Sequence, residues 1–510
     1  MQILIIDLGS QYTQLISRTL RELGVRSIIL PPAQVSAWLT KHWPKGIILS
    51  GGYASVYEPT APCPPIEILD QGIPILGICY GAQWLAKKYH GEISTCLANK
   101  QYGETQVTPD STNSLFANLP LNKNTFTAWA SHGDSIEKIP KDFAPIAYSG
   151  PSSAKQIVGI AHFAEKIWGI MFHPEVTQTE CGRTILSNFL FGICACVKDW
   201  SGQNIISAIK KQAHQLIKDQ NEKAVIAFSG GVDSCTVAAA IAPVLGKNLM
   251  AVCIDAGNLR QDELAEIKQN AQATGVQLKI VHAQKIFLAA LKNVVNPQRK
   301  RHIFQKLYNQ ILLTQAKKFG AKWLIQGTLA PDEIESGKTG ASAVIKTHHN
   351  LGRTSLKQWD PLKGFFKDEV RDLARRLGLP ESISQRQPFP GPGFFVRVVD
   401  TPITQEKLRI LRWADAQTTK VLRHHNIYQA INQLVVALTG RSVGVKGDHR
   451  VYGWTITIRP MVTIDFMTAN GYEIPLEIRK ELERVLTQHP QIVRVAFDTT
   501  SKPPATIELE

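Results

Sequence analysis

The sequence predicts an α/β protein with two domains that each contain a mostly parallel sheet, followed by a small α+β domain. Short apolar runs alternate with helix-like stretches over most of the chain, which is typical of buried parallel strands joined by helices. After the proline- and glycine-rich segment PFPGPG at 388–393, the pattern changes to strands of alternating polarity around one helix.

The first domain is predicted over residues 1–196. It begins with QILIIDLGS at 2–10, a continuous apolar run that ends in a loop, and a helix-like stretch follows at 11–23. The runs that continue the pattern are VRSIIL at 25–30, KGIILSGG at 45–52 and IPILGICYG at 73–81.

A second domain is predicted over 197–393 and a third over 394–510. The second begins with a polar helical stretch and repeats the alternation of apolar strands with helices, in KAVIAFSGG, NLMAVCIDAG and AKWLIQGTL. The third contains YGWTITIRPMVTID and IVRVAFDTTS, whose alternation predicts half-buried strands.

The composition is typical of a soluble globular protein, with 44% hydrophobic and 19% charged residues in 510. The net charge of +15 favours anionic small substrates or a diffusely charged surface over a nucleic-acid face, because basic groups such as QRKRH at 298–302 are local. The eight cysteines form no C-x-x-C pair, and no signal peptide or long apolar run is found. We therefore expect a cytoplasmic protein with mostly free, buried cysteines and no nucleic-acid or membrane partner.

A nucleophilic cysteine is predicted at residue 79. GICYGAQ at 77–83 places Cys79 between an apolar strand and a helix, where Gly77 and Gly81 leave room for a sharp turn. A helix N-terminus also favours the thiolate, which is the reactive form of the side chain. Because a lone cysteine in an apolar run is more often a core residue, the prediction depends on partners elsewhere.

Partners for this cysteine are predicted in two further segments. In FHPE at 172–175, the proline favours an extended chain, so Glu175 would point the same way as His173 and orient its imidazole. LSGG at 49–52 follows another strand and offers the free backbone N–H groups that an oxyanion hole requires. Together the segments predict nucleophilic catalysis.

Residues 1–195 resemble class I glutamine amidotransferase domains, on these motifs and on AWASHGD at 128–134. The resemblance implies that the cysteine attacks the side-chain amide of glutamine and releases ammonia, leaving a thioester for water to hydrolyse. The implied residues are the nucleophile Cys79, its base and acid His173, the orienting Glu175, the oxyanion-hole residues Gly52 and Tyr80, and Gln83, which helps to hold glutamine.

A phosphate-binding turn is predicted at SGGVDS, residues 229–234. It follows the strand KAVIAF and precedes a helix, so its glycines, its hydroxyls and the helix N-terminus could surround an anion. A Walker loop would carry a lysine for γ-phosphoryl transfer, and this loop has none. For SGG alone, an ordinary glycine-rich turn is the commoner interpretation.

The full hexapeptide resembles the pyrophosphate-binding loop of N-type ATP pyrophosphatases, whose domain is doubly wound and binds adenine nucleotides. The resemblance implies ATP cleavage between the α- and β-phosphates, with Mg²⁺ and no organic prosthetic group. The implied ATP-binding residues are Ser229, Gly230, Gly231, Val232, Asp233, Ser234 and, from VCIDAGNLR at 252–260, Asp255. Asp255 could instead cap the end of its strand.

QGTLAPDEIESG at 326–337 and IKTHHN at 345–350 predict a mobile loop over the substrate rather than a metal site.

The order of these motifs resembles the family of glutamine-hydrolysing GMP synthetases over nearly the whole chain. FKDEVR at 366–371, PFPGPG, DFMTA at 465–469 and SKPPATIELE at 501–510 complete the resemblance. It implies that XMP is adenylylated at its C2 oxygen, that ammonia from glutamine then gives GMP and AMP, and that the third domain forms a homodimer. The implied XMP-binding residues are Arg301, Arg397, Lys502, Ile507 and Glu508, whose cations suit a phosphate and whose carboxylate could accept hydrogen bonds from the purine or ribose.

Several residues depart from the family motifs, so other interpretations stay open. A divergent paralogue could aminate another acceptor, and a tRNA-modifying ATP pyrophosphatase would use the basic charge on RNA, although no reactive cysteine pair or RNA module is found. An exposed tail is the usual interpretation of a terminal segment such as 501–510. The departures are Tyr53, His162, Met171, Asn258, Arg353, Lys363 and Lys446.

Overall fold

The computed structural model describes residues 1–94, 101–150, 155–329, 356–463, 469–502 and 504–510. The described part of the chain forms two compact units, which divide between Asn204 and Ile205. The expected boundary at 393/394 lies inside the second unit, and the division into three domains stays a prediction. Most of the predicted substrate loop, at 326–337 and 345–350, lies outside the described residues, as do Arg353 and most of DFMTA.

The first unit contains an eleven-stranded mixed sheet. Five strands are parallel, in the order β2-β1-β3-β4-β11, and four of the five are buried along their whole length, as continuous apolar runs predict. The parallel strands are β1 (Ile3–Ile6), β2 (Ser27–Leu30), β3 (Gly46–Leu49), β4 (Ile75–Ile78) and β11 (Ile167–Ile170).

The other strands of this sheet are antiparallel to their neighbours, so the sheet is mixed rather than mostly parallel. Short connections account for two of these pairings, Ala144–Ser149 with Gln156–His162 and Gln156–His162 with Ile167–Ile170, because a parallel pair needs a crossover of a dozen or more residues. These strands are β5 (Glu92–Ser94), β6 (Gln101–Pro109), β7 (Phe126–His132), β8 (Ser135–Lys138), β9 (Ala144–Ser149) and β10 (Gln156–His162). The helices of the unit are α1 (Thr13–Glu22), α2 (Pro32–Leu39), α3 (Tyr80–Lys88) and α4 (Gly182–Ser187), with shorter helical turns at Ile66–Gln71, Ser114–Phe116 and Asn188–Ile193.

The second unit contains a parallel sheet in the order β14-β13-β12-β15-β16 and a four-stranded sheet. The strands of the first are β12 (Ala224–Ala227), β13 (Leu249–Asp255), β14 (Gln277–His282), β15 (Trp323–Ile325) and β16 (Lys357–Trp359). The strands of the second are β17 (Gln433–Lys446), β18 (His449–Val462), β19 (Asn470–Gly471) and β20 (Ile492–Phe497), with β20 parallel to β18 and the other pairs antiparallel. The predicted α/β class with a smaller α+β part is confirmed.

Helices connect these strands in the manner that the alternation of patterns predicts. One hydrophobic cluster includes residues from both sheets, among them Val225, Leu324, Leu434 and Ile456, so both sheets of the unit pack on a shared core. The helices are α5 (Gly202–Ala213), α6 (Val232–Leu245), α7 (Glu263–Thr274), α8 (Gln284–Ala290), α9 (Pro297–Phe319), α10 (Lys367–Arg376), α11 (Glu381–Ser384), α12 (Gln405–His424) and α13 (Leu476–Leu486), with helical turns at His214–Lys218, Gly246–Asn248, Gly393–Val396 and Tyr428–Ala430.

The cysteines and the helices of the described residues can be compared with what the sequence predicts. Their seven cysteines are all free, and each except Cys63 is buried. No described helix has both the length and the apolar character needed to cross a membrane.

The turn between β4 and α3 is packed so closely that two of its positions require glycine. A Cβ on Gly77 would lie 2.6 Å from the carbonyl carbon of Gly81, and a Cβ on Gly81 would lie 2.6 Å from the carbonyl oxygen of Leu49. Because the obstructing atoms belong to the backbone, they cannot move aside as a flexible side chain would.

Gly81→Ala is therefore expected to lower the free energy of unfolding by about 1–3 kcal/mol, the usual cost of overpacking. Urea unfolding followed by tryptophan fluorescence measures the change. Gly192→Ala is the matched control in the same unit, because a Cβ there meets no atom within 4 Å. Equal stability of the two variants would show that the turn tolerates a side chain.

Candidate functional site

The structure places Cys79 at the N-cap of α3, directly after the buried strand β4. Its backbone has φ 47° and ψ −107°, a conformation that a residue with a Cβ rarely adopts. The neighbouring glycines permit this turn, and the first residues of α3 follow Cys79 directly. The predicted strand-to-helix position of a reactive side chain is therefore present.

The three residues predicted to act with this cysteine lie together. The Sγ atom of Cys79 is 3.3 Å from Nε2 of His173, and Nδ1 of His173 is 2.8 Å from Oε1 of Glu175. All three are buried, and a Cβ on Gly51 would lie 3.0 Å from the His173 ring. The order thiol, imidazole, carboxylate is the arrangement that activates a nucleophile through an oriented base.

The charges of this group favour a protonated imidazole. Burial lowers the pKa of His173, but the neighbouring Cys79 and Glu175 outweigh that effect and hold it well above 6.5. His132, also close to this imidazole, behaves oppositely, since burial lowers its pKa to about 4 and the charge of His173 acts in the same direction. His132 is therefore neutral at neutral pH and adds no second cation to the site.

The predicted glutamine-binding residues border the cysteine. Gly52 packs so closely that a Cβ would lie 2.8 Å from the Leu8 carbonyl oxygen and 3.0 Å from the Tyr80 ring. The Tyr80 hydroxyl donates to the Pro62 carbonyl at 2.7 Å, and burial raises its pKa to about 12. The segment AWASHGD contributes through Asp134, which sequence reasoning did not single out.

Asp134 connects two parts of this region. Its carbonyl accepts a 3.0 Å hydrogen bond from Nε2 of Gln83, and its carboxylate accepts a 2.7 Å hydrogen bond from the Ser55 hydroxyl. The side chain of Gln83 is thereby oriented by a segment more than forty residues away in the chain. Asp134 lies within AWASHGD, one of the motifs on which the resemblance to amidotransferases depends, and this location could have identified it from the sequence.

The departures from the family motifs occupy different environments. Tyr53 is 68% exposed, whereas Met171 is buried immediately before the segment that carries His173. His162 lies at the end of β10, against the rings of Tyr89 and Phe143. Among the described residues, none of the three forms a side-chain hydrogen bond or ion pair with Cys79, His173 or Glu175.

In the second unit, SGGVDS forms the turn between β12 and α6. Gly230 has φ 71°, which favours glycine, and its carbonyl accepts hydrogen bonds from Asn270 and from Arg386 at 3.0 and 2.7 Å. The hydroxyls of Ser229 and Ser234 lie 3.4 Å apart at the start of the helix. The turn thus has the shape and the helix N-terminus that an anion-binding loop needs.

A lysine absent from the loop itself is supplied by a distant segment. Nζ of Lys367, the first residue of α10, lies 2.5 Å from Oδ2 of Asp233 although the two are 134 residues apart. Sequence reasoning noted the missing lysine but did not connect the loop with FKDEVR. FKDEVR is one of the motifs on which the family resemblance depends, so its lysine could have been proposed from the sequence as a partner of the loop.

Asp233 also fits a magnesium ion. Its Oδ1 atom is buried without a hydrogen-bond partner among the described residues, and a carboxylate oxygen suits a hard cation. Within the described ranges no cluster of three His, Cys, Asp or Glu side chains could hold a metal. Mg²⁺ is usually held through one or two carboxylates and substrate phosphates.

Asp255 makes the contacts expected of a capping residue at the end of β13. It accepts hydrogen bonds from the Gly257 amide at 3.0 Å and from Nε2 of Gln284 at 2.8 Å, with Nδ1 of His282 at 3.3 Å. Asn258 is buried, and its side chain donates to the Gly391 carbonyl at 2.8 Å. Capping accounts for the conformation of Asp255, and ATP binding by this residue stays a prediction.

Two of the predicted XMP-binding residues contact each other. Arg397 is fully buried, and its Nε and Nη2 donate to the carboxylate of Glu508 at 3.0 and 2.9 Å. Burial raises the pKa of Glu508, but the Arg397 charge and the hydrogen bonds to Arg397 and Gln433 bring it below 4.5. Their predicted contact with a nucleotide stays a prediction, since in this conformation their hydrogen bonds serve each other.

The remaining predicted residues hold the segment 501–510 in place. The backbone of Lys502 pairs with that of Ala469 at 2.8 and 3.0 Å, and the Ile507 carbonyl accepts from Nε of Arg459 at 3.1 Å. Arg301 donates to the Glu510 carbonyl oxygen, and Lys300 lies 2.7 Å from the Glu510 carboxylate. The described residues of this segment, 501–502 and 504–510, are therefore held against the unit and do not form a free tail.

Comparisons with known proteins agree with this arrangement. The model of class I glutamine amidotransferases matches residues 4–193, that of NAD synthase matches 205–400, and that of the GMP synthase C-terminal domain matches 420–509. The fold and its two sites thus define a glutamine amidotransferase joined to an ATP-using synthetase.

Curated relatives match the chain over its full length. A glutamine-hydrolyzing GMP synthase from Treponema denticola is 40% identical over 517 residues, covering 100% of this chain and 97% of the relative. One from Fusobacterium nucleatum is 40% identical over 519 residues, covering 100% and 99%. The chain belongs to the family of glutamine-hydrolysing GMP synthases, which are ligases.

The raised pKa of His173 gives a prediction about Glu175→Gln. Removing the carboxylate charge is expected to move the imidazole titration midpoint to lower pH than in the unaltered protein, where it lies above 6.5. NMR titration of isotope-labelled histidine, assigned with His173→Asn, measures the midpoint. The stabilisation from the imidazolium is fully present below pH 6.5 and is lost as the pH rises through the folded-state pKa.

Glu92→Gln is the control for this titration. Glu92 is exposed in the same unit and pairs with Lys138 at 2.7 Å, so its loss should leave the His173 midpoint unchanged. An unchanged midpoint in Glu175→Gln would mean that Glu175 does not stabilise the imidazolium.

Proposed function

We propose that this protein is a GMP synthetase, which transfers the amide nitrogen of glutamine to C2 of XMP and cleaves ATP to AMP and pyrophosphate. The observation that supports this most is the presence of both sites in one chain whose full-length relatives are named GMP synthases. The proposal includes three functional regions, 1–196, 197–393 and 394–510.

In the first region, the Cys79 sulfur attacks the side-chain amide carbon of glutamine. His173 holds the proton that the thiol gives up and delivers it to the leaving nitrogen as the carbon–nitrogen bond breaks, which releases ammonia. Water, activated by the same imidazole, then hydrolyses the thioester to glutamate. Glu175 keeps the ring oriented, and the backbone amides of Gly52 and Tyr80 stabilise the oxyanion.

In the second region, the C2 oxygen of XMP attacks the α-phosphorus of ATP, and the bond to the β-phosphate oxygen breaks. The Ser229–Ser234 loop binds the departing pyrophosphate, and Lys367 adds a positive charge where negative charge develops. Ammonia then adds to C2 and expels AMP, which completes GMP. Mg²⁺, held through Asp233 and the phosphates, would neutralise charge on the pyrophosphate when bound.

The distribution of charge supports anionic substrates for the second unit. Residues 1–204 contain 15 basic and 15 acidic side chains, whereas residues 205–510 contain 42 and 27. The net charge of +15 therefore belongs to the part of the chain with the nucleotide loop, and glutamine, which has no net charge, is assigned to the neutral part. Positive charge near a site raises the local concentration of anionic substrates.

A homodimer formed through the third region is part of the proposal. The β17–β18 hairpin exposes a row of apolar side chains, with Val443 and Tyr452 paired across the strands and Val445 74% exposed. Contiguous exposed apolar surface on a sheet is typical of an interface.

We also place the protein in the cytoplasm, where its free cysteines would stay reduced.

The functional test supplies XMP, ATP, Mg²⁺ and either glutamine or ammonium, and measures GMP, AMP and pyrophosphate. Cys79→Ala should lose glutamine-supported synthesis but keep ammonium-supported synthesis within about twofold, since the thiol takes part only in ammonia release. Lys367→Met should lower synthesis from both nitrogen sources about 100-fold, as expected for loss of one group that stabilises developing charge.

Three outcomes would contradict the assignment. Production of ADP instead of AMP would exclude cleavage between the α- and β-phosphates. Loss of both activities in a folded Cys79→Ala variant would contradict the division of labour between the sites. Amination of another acceptor in preference to XMP would favour the divergent paralogue.

Dimer formation is tested with Val445→Asp. Sedimentation equilibrium is expected to give twice the chain mass of 56.5 kDa for the unaltered protein and a single chain mass for the variant. Leu476→Asp is the control, because Leu476 is also exposed, at 55%, but belongs to the start of α13 and not to the hairpin. A monomeric unaltered protein, or a dimeric Val445→Asp variant, would contradict this interface.

A further inference from the structure

A continuous series of polar contacts leads away from the SGGVDS loop. The Gly230 carbonyl accepts a 2.7 Å hydrogen bond from Nη1 of Arg386, whose Nη2 lies 2.5 Å from Oε1 of Glu263. The other oxygen of Glu263 accepts a 2.8 Å hydrogen bond from the backbone amide of Arg260. The loop is thereby connected to the segment VCIDAGNLR, which ends at Arg260.

The series continues through Asp415 on α12 to the segment 501–510. Nε of Arg260 lies 3.4 Å from one oxygen of Asp415, and Nη1 of Arg397 lies 3.7 Å from the other. Arg397 is in turn held by two hydrogen bonds to Glu508. Asp415 is thus the central carboxylate between the two ends of the series.

The surroundings make this carboxylate important for the position of both arginines. The Asp415 and Arg397 side chains are only 4% and 0% exposed, and both guanidinium groups lie over the ring of Phe389, at 4.5 Å for Arg260 and 4.8 Å for Arg397. Two buried cations on one ring would repel each other without an anion between them. Burial lowers the pKa of Arg260, but the charges of Asp415 and, to a smaller extent, of Tyr428, Glu263 and Glu508 together outweigh it and the pKa is raised.

The contacts to Asp415 are ionic and longer than hydrogen bonds. Nε of Arg260, Nη1 of Arg397 and Oδ1 of Asp415 have no hydrogen-bond partner among the described residues. Either guanidinium can therefore move toward the carboxylate, and a shift of one changes the field at the other. A carboxylate between two arginines that can each shift position is suited to transmit a change in the position of one arginine to the other.

We propose that Asp415 is a positioning residue that couples ATP binding at the SGGVDS loop to acceptor-nucleotide binding beside Glu508. This inference rests on the proposed function, because it takes the two ends of the series as the ATP and XMP sites. Phosphates bound at the loop act on Arg386, and the change passes through Glu263, Arg260 and Asp415 to Arg397. By thermodynamic reciprocity, XMP strengthens ATP binding by the same factor as ATP strengthens XMP binding.

The test measures the affinity of the full-length protein for α,β-methylene ATP by calorimetry, with and without saturating XMP. In the unaltered protein, XMP should strengthen binding by at least about fivefold, the lower end of ordinary coupling between sites. In Asp415→Asn, which keeps the shape but removes the charge, the factor should fall to about one.

Three further variants separate coupling from damage to the fold. Asp415→Glu keeps the charge and should retain most of the coupling. Glu263→Gln breaks the series at a different link and should lose coupling as Asp415→Asn does. Asp372→Asn is the matched control, because Asp372 also lies between two arginines, Arg375 and Arg376, but on an exposed face of α10.

The proposal is overturned if XMP leaves analogue affinity unchanged in the unaltered protein, or if Asp415→Asn keeps its coupling factor. It is also overturned if Asp415→Asn only lowers thermal stability while Glu263→Gln couples normally. Failure of the proposed function is distinguishable, since the unaltered protein would then make no AMP and GMP in the product assay, whatever the binding data show.

Discussion

Both candidate sites depend on one constraint, a turn that leaves a buried parallel strand and enters a helix with almost no space for side chains. In the first unit the turn holds Cys79 at φ 47°, which is tolerated because Gly77 and Gly81 let the backbones approach. In the second unit Gly230, at φ 71°, makes the corresponding turn. The first amides of a helix have no partner within the helix, so each turn directs several donors toward a ligand.

The two turns perform different chemistry because distant residues supply different charges. His173 is 94 residues from Cys79 in the sequence, and the positive charge of its protonated imidazole favours the thiolate. Lys367, 134 residues from Asp233, brings a cation to a loop that lacks one in its own sequence. The strand-to-helix turn therefore determines where the backbone N–H donors point. The residue from a distant segment, His173 or Lys367, determines which charge is stabilised there.

The same distinction explains how much could be predicted from the sequence. The α/β class and the positions of Cys79 and SGGVDS depend on local patterns of apolar runs and glycines, which a sequence displays directly. The pairing of His173 with Glu175 was predicted from an extended chain, in which residues two apart point the same way. The two side chains do pair, although Pro174 and Glu175 lie in a turn. The contacts of Asp233 with Lys367 and of Asp134 with Gln83 join distant segments, and no local pattern records such pairings.

The antiparallel half of the first sheet was missed for a related reason. The apolar residues of its strands do not show whether a neighbouring strand runs parallel or antiparallel. The net charge was interpreted as spread over the chain, although residues 1–204 carry no net charge. Counting charge separately for each part of the chain would have located the excess in residues 205–510, which contain the nucleotide loop.

The buried ions around Asp415 are difficult to explain by stability alone. Burying ion pairs costs several kcal/mol of desolvation per ion, and well-packed apolar residues are often as stable or more so. The contacts of 3.4 and 3.7 Å are too long to recover that cost through good hydrogen bonds. A cluster that is expensive to bury and loosely bonded is better explained by what it connects, which here is the segment ending at Arg260 and the carboxylate of Glu508.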